Sequence, residues 1–170
     1  MPFLEHPTHR IATTFAKAPA GGPIHPSHGD TMNIQEIMTR HPRTCTADSP
    51  VQHAAQLMLD EDVGQIPVID AQSRVIGVIT DRDIVLRCIA AGGDPQHTNV
   101  AACMTSPALT LRDDATLDEC AHLMAREQVR RVPIIDADGA ICGIVAQADI
   151  EATDARSLKA QVAERVSVPH

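Results

Sequence analysis

From Asn33 to Ile150 the chain is written twice. Asn33, Met38, Thr39, Thr44, Asp48, Leu57, Met58, Val63, Pro67, Ile69, Asp70, Gly77, Asp83 and Ile84 recur as Asn99, Met104, Thr105, Thr110, Asp114, Leu123, Met124, Val129, Pro133, Ile135, Asp136, Gly143, Asp149 and Ile150, each pair 66 positions apart. One slip occurs, Pro42 matching Pro107 at 65. Chance does not place so many matches at one offset, so the period is an internal repeat. The repeat points to the architecture, two like units in tandem.

Within a copy the punctuation is legible. Asn33 and Asn99 are placed as N-caps of a short lead-in helix, with Glu36 as a capping-box partner in the first copy. A brief strand is expected around 43–47 and 109–112. Ser49-Pro-Val-Gln52 and Thr116-Leu-Asp-Glu119 read as capping boxes, the first with Pro at the favoured first helical position. The helices they open carry Val51, Ala54, Ala55, Met58 and Leu117, Cys120, Ala121, Met124, the stripe of an amphipathic helix. Pro67-Val-Ile and Val75–Ile79, then Pro133-Ile-Ile and Ile141–Val145, flank polar turns and predict two hairpins. Second helices are expected from near Asp81 and near Gln147, the first stopping before Gly92-Gly93. The order is β-α-β-β-α, twice. A last amphipathic stretch, 160–166, is a dimer contact or a solvated tail helix.

Residues 1–31 lack this pattern and are rich in Pro, Gly, His and Thr, which predicts a flexible tail. Two H-x-x-H pairs there, His6/His9 and His25/His28, fit solvated histidines better than a metal site. Met32, just before the ordered pattern, is a candidate start codon. The expected divisions are 1–31 tail, 33–98 first repeat, 99–154 second repeat and 155–170 C-terminal helix or tail.

The formal net charge is −8, there is no Trp or Tyr, and both Phe residues (Phe3, Phe15) lie in the tail. An acidic body without aromatics has neither the cationic field nor the stacking platforms of a nucleic-acid binder. No apolar run is long enough to span a bilayer, and no uninterrupted hydrophobic signal region opens the chain, so a cytoplasmic protein is expected. Cys45, Cys88, Cys103, Cys120 and Cys142 are odd in number and form no C-x-x-C, so small buried apolar residues are expected rather than disulfides or a metal site.

Two units containing "IPVID" with "GVITDRDI" and "VPIID" with "GIVAQADI", at one spacing and duplicated, resemble a tandem pair of CBS domains over 33–154. With no second domain on the chain, the resemblance is to the small stand-alone bacterial CBS proteins. It implies a mixed α/β (α+β) fold in which the two repeats pack with pseudo-twofold symmetry, and two clefts able to bind AMP, ADP, ATP, NAD or S-adenosylmethionine. In the family pattern the aspartate of G-h-h-T-x-x-D accepts hydrogen bonds from ribose hydroxyls and the threonine supports ribose or phosphate. Adenine lies between aliphatic side chains.

Carried onto this chain, the pattern selects Thr80 and Asp83 for a main cleft, facing Thr110, Leu111, Arg130 and Arg131 of the second repeat. Asp149 would serve a weaker cleft with Thr44 and Gln65, where Ala146 replaces the threonine and Gly64-Gln65 replaces the arginines. The residue chemistry is suitable on its own terms. A carboxylate at a helix start can take both protons of a cis-diol as charge-assisted hydrogen bonds, and the helix N-terminus favours nearby anions. The plainer alternatives are that Asp83 and Asp149 are only caps, and that Arg130-Arg131 is a solvated helix exit.

Three functions compete. One is a sensor of an adenine nucleotide, a regulatory ligand rather than an obligatory cofactor, that signals to an unknown protein partner. Another is a dimeric interaction scaffold with degenerate clefts. The third is an enzyme, disfavoured because His53, His97 and His122 have no triad relationship and the body shows no metal-ligand spacing. A homodimer is expected through helical faces bearing Leu57, Leu86, Leu123 and Ile150.

Overall fold

A computed structural model of the chain describes residues 32–153; the 1–31 tail and the 160–166 helix fall outside the described residues. Two sheets form. One holds β2 (Cys45–Thr46), β3 (Gln65–Ile69) and β4 (Val75–Thr80) in the order β2-β3-β4. The other holds β1 (Thr39–Arg40), β5 (Leu111–Arg112), β6 (Arg131–Ile135) and β7 (Ile141–Ala146) in the order β1-β7-β6-β5. In each, a parallel pair leads into an antiparallel hairpin, with a register shift at Val68/Ile69 and at Ile134/Ile135. Helices α1 (Val51–Asp60) and α3 (Leu117–Glu127) precede the hairpins. α2 (Asp81–Asp83) follows the first hairpin and continues as a π-helical segment, Ile84–Ile89. α4 begins at 147 and is described to 153.

The copies are interlocked. Asn33 bridges Thr116, and Asn99 bridges Pro50; Thr39 pairs with Ile144, and Thr105 with Val78. Adding 66 to one member of each pair and subtracting it from the other produces its partner pair, so the contacts obey a twofold exchange. Arg74 bridges Ala140, its own counterpart, which places this contact at the axis. Each lead-in segment therefore belongs in space to the other repeat. Ile34 and Met38 are buried with Val132, Ile134 and Val145, while Val100 and Cys103 are buried with Val68, Ile79 and Ile84. Burying an aliphatic side chain of this size contributes about 1.5–3 kcal/mol. Neither repeat, cut at its sequence boundary, would keep its own interior complete.

The recurring glycines make this exchange possible. A Cβ at Gly77 would stand 2.9 Å from the Thr105 carbonyl oxygen and 3.0 Å from Met104 Sδ, and a Cβ at Gly143 would collide with Met38. Each hairpin carries a glycine where the other repeat's lead-in crosses it.

Several local expectations hold. Asn33 caps Ile34–Glu36 with a full capping box, Thr116 caps α3 with Glu119, and Gly92, at φ 77, follows the π-helical turn. Ser49 differs. Pro50 is the N-cap residue of α1 without a side-chain cap, and the Ser49 hydroxyl instead accepts from the Thr46 N–H at 3.2 Å. The backbone supplies what the cap would have, because Val51 and Gln52 donate to the carbonyls of Thr98 and Pro95. Leu57 and Leu123, expected on an outer face, lie in the two cores; Leu86 is 52% exposed, beside Val85 and Ile89. Four cysteines are buried and Cys142 is half-buried; all five are free thiols. Among the described residues no helix is long and apolar enough to cross a membrane.

Candidate functional site

Each hairpin runs into a helix at an aspartate, and the two turns differ. At the first, the Thr80 hydroxyl accepts from the Asp83 N–H at 3.1 Å and donates to Asp83 Oδ2 at 2.7 Å. The Thr80 N–H donates to the same oxygen at 3.0 Å. Asp83 Oδ1 faces Arg87 Nη2 at 3.4 Å. Arg87 Nη1 then crosses to the lead-in of the second repeat, donating to the carbonyls of Cys103 (2.8 Å) and Met104 (3.0 Å) and to Thr105 Oγ1 (3.2 Å). The Asp83 side chain is only 13% exposed, so these donors stand where water would otherwise be.

At the second turn Ala146 has no hydroxyl to offer. Its N–H donates to Asp149 Oδ2 at 2.8 Å, and Oδ1 has no hydrogen-bond partner among the described residues. The position equivalent to Arg87 is Thr153, whose hydroxyl turns back to the Asp149 carbonyl oxygen at 2.9 Å. The carboxylate is thus left with acceptor capacity. It lines a cavity of about 290 Å³ between the repeats, with Thr39, Pro42, Arg43, Glu61, Val63, Gln65, Ile66, Pro67, Arg131, Ile144 and Ala146.

The wall chemistry is divided. Val63, Ile66, Pro67 and Ile144 make an aliphatic slot. Arg131 is half-buried and in no ion pair among the described residues, with its Nη1 close to Gly64. Arg43 is only loosely held, at 4.0 Å from Glu61 on an exposed surface. Such a cavity can take a flat apolar group in the slot, a hydroxyl donor at Asp149 and an anion at Arg131.

Of the residues singled out from sequence, the structure brings Asp149, Gln65 and Arg131 into one cavity. Thr80 and Asp83 form the other turn, with Thr80 paired to Gln65 across β3 and β4. Arg131, expected opposite Asp83, is the counterpart of Gln65 and lines the Asp149 cavity. Arg130 is exposed and lines a separate surface hollow of about 460 Å³ with Gln147 and Glu151. Leu111 pairs with Ile134 at the edge of the second core. Thr44 and Thr110 precede the short strands β2 and β5, and neither side chain lines the cavity. Sequence reasoning missed Arg87 and Arg43. Both were visible as departures from the repeat, since Arg87 answers Thr153 and Arg43 answers Leu109.

The family described as CBS domain matches residues 34–89 and 100–152. The uncharacterized protein YlbB of Bacillus subtilis is 37% identical over 122 residues, covering 71% of this chain and 81% of its own length. The crystal structure of Hypoxic Response Protein I with two coordinated zinc ions is 32% identical, with a TM-score of 0.66, covering 71% of this chain and 97% of that one. The crystal structure of CBSX2 in complex with AMP has a TM-score of 0.65 at 23% identity, covering 74% and 97%, a likeness of fold. Among the described residues here, no group of three or more His, Cys, Asp or Glu side chains is placed to hold a metal ion.

Proposed function

This chain belongs to the CBS-domain family, and on that premise we propose that it is a regulatory module binding an adenosine-containing ligand between its two repeats. Occupancy would be reported to a protein partner. The carrying observation is the Asp149 cavity, where open carboxylate capacity, an arginine in no ion pair among the described residues and an aliphatic slot converge. Its volume, about 290 Å³, is at the lower edge of small-ligand pockets, which begin at about 300 Å³. Adenine would lie against Ile66, Pro67 and Ile144, ribose hydroxyls would donate to Asp149, and phosphate would meet Arg131. AMP fits this division, and the AMP complex of a protein of the same fold supports it. ADP and ATP extend the same contacts outward; NAD or S-adenosylmethionine makes less use of Arg131.

The sequence pattern ranked Asp83 first, whereas this reading seats the first ligand at Asp149. The reason is the competition at Asp83, whose Oδ2 takes two hydrogen bonds from Thr80 and whose Oδ1 faces the Arg87 guanidinium at 3.4 Å. We assign the protein a sensing rather than a catalytic role, in the cytoplasm, with no nucleic-acid or membrane partner. A homodimer goes with this reading. Val85, Leu86 and Ile89 are each about half exposed on one helix, with Leu59 exposed on α1, and a second copy presenting the same face would cover them. That face is also what favours the second reading, an interaction scaffold whose clefts stay empty.

The test exploits the missing Trp and Tyr. The protein barely absorbs in the near ultraviolet, so retained adenine dominates the spectrum. Purified protein incubated with AMP, desalted and heat-released should yield adenine absorbance. Release no greater than from an unrelated acidic protein, together with a dimer in light scattering, would leave the scaffold reading standing instead.

A further inference from the structure

We infer that Arg87 is a latch that shuts the Asp83 cleft, its guanidinium occupying the space a ligand would take between Asp83 and Thr105. The twofold exchange relates the two clefts residue by residue. Thr39 and Asp149 both line the open cavity. Their counterparts, Thr105 and Asp83, are both held by one side chain, through Nη1 at 3.2 Å and Nη2 at 3.4 Å. The guanidinium therefore bridges the positions that, in the other half, look onto empty space. Its fork matches the task, since its planar donors can serve a carboxylate, two carbonyls and a hydroxyl at once.

The latch also competes for the atom that matters. A ribose diol needs carboxylate oxygens as acceptors; Asp83 Oδ2 already takes the Thr80 N–H and hydroxyl, and Oδ1 faces Arg87. An incoming nucleoside must displace a cation from a largely buried carboxylate, and its apparent affinity falls by the fraction of time the cleft is open. Thr153, in the same place in the second repeat, is too short to cross and bonds to its own helix. The threonine that distinguishes Thr80 from Ala146 then serves closure, because it helps orient Asp83 toward Arg87.

This inference rests on the nucleotide reading above, so the experiment carries one ligand-dependent and one ligand-independent measurement. The variant Arg87→Thr gives the first turn the threonine that the second carries at the matching position, Thr153. In calorimetric titration with AMP the parent should bind one equivalent per chain, and Arg87→Thr two, the second within about tenfold of the first. Adding Asp83→Ala to Arg87→Thr should return the count to one. Without ligand, amide exchange at Met104 and Thr105 should quicken about tenfold in Arg87→Thr as the crossing contacts are lost, while Met38 and Thr39 keep their rates. Arg87→Lys, which preserves charge but not the fork, gives a second variant and should quicken the same amides by less. Unchanged exchange in both variants, or faster exchange with still one AMP per chain, overturns the latch. Faster exchange with no AMP bound by any of the proteins keeps the latch closure and removes the nucleotide reading.

Discussion

Repeat one and repeat two share a fold, a register and a twofold exchange, yet their helix-start turns have opposite character. Thr80, Asp83 and Arg87 form a closed set that reaches over to Cys103, Met104 and Thr105. Ala146, Asp149 and Thr153 form an open one, in which each hydrogen bond stays within the turn and its helix. A fuller motif is therefore not a more open turn. Extra polar groups can satisfy one another, and the turn with fewer of them keeps more free acceptor capacity.

The largest effect expected from this contrast is on binding. In the proposed binding mode Asp149→Ala removes charge-assisted hydrogen bonds to ribose, each contributing roughly 1.5–3 kcal/mol before solvent competition. AMP affinity should fall about ten- to a hundredfold. Asp83→Ala should leave the affinity near that of the parent. Calorimetry finding the reverse order would invert the assignment of the open half.

The next effect concerns the crossing glycines and separates the halves by what each glycine meets. The atom nearest a methyl at Gly77 is the Thr105 carbonyl oxygen, a backbone atom held by the Thr105–Val78 pairing, whereas the atoms nearest a methyl at Gly143 belong to the Met38 side chain. Gly77→Ala should cost about 1–3 kcal/mol, the usual range for overpacking, and Gly143→Ala less because methionine can re-aim. Denaturant midpoints measure both. Equal losses would mean that the Met38 pocket has no room to give.

A smaller shift should follow Arg131→Ala, which removes a half-buried cation of the open cleft. Solvent screens part of it, so about 1 kcal/mol, roughly fivefold, is expected for AMP, with adenosine hardly affected. A matched loss for both ligands would show that Arg131 supports the cleft rather than the phosphate.

Helix starts sharpen the contrast at still lower energy. Thr116 makes a full capping box with Glu119, so Thr116→Ala should cost about 1 kcal/mol. Ser49 makes no cap for α1, and Ser49→Ala should cost about half that or less. The smallest signal is chemical. Burial pushes the thiols of Cys45 and Cys120 up to about 11, so in mildly alkaline buffer both remain protonated. Half-buried Cys142 should react first with a thiol reagent. Cys45 and Cys120, one in each core, should follow only as their halves open, which ranks the two halves by local stability.

Much of the fold was legible in the chain. The 66-residue period announced two like units, alternating apolar patterns announced the hairpins, and Thr116-x-x-Glu119 announced a helix start. All of these are local rules, settled by residues a few positions apart, and a linear reading captures them. Ser49 escaped because its helix is capped from far along the chain, by the carbonyls of Pro95 and Thr98. Leu57 and Leu123 escaped for a related reason. Which face of a helix turns inward depends on what packs against it.

By itself, then, the sequence determined the unit, its duplication and the positions where the copies part company: Thr80 against Ala146, Arg87 against Thr153, Gln65 against Arg131. Only the tertiary structure decided what those departures do. It passed each lead-in over the other repeat's glycine, put Arg131 into the Asp149 cavity, and carried Arg87 across to Thr105. A side chain's role in a cleft is set by which acceptors remain unsatisfied once the chain has closed on itself. That balance is struck between residues far apart in sequence, so it exists only in the folded molecule.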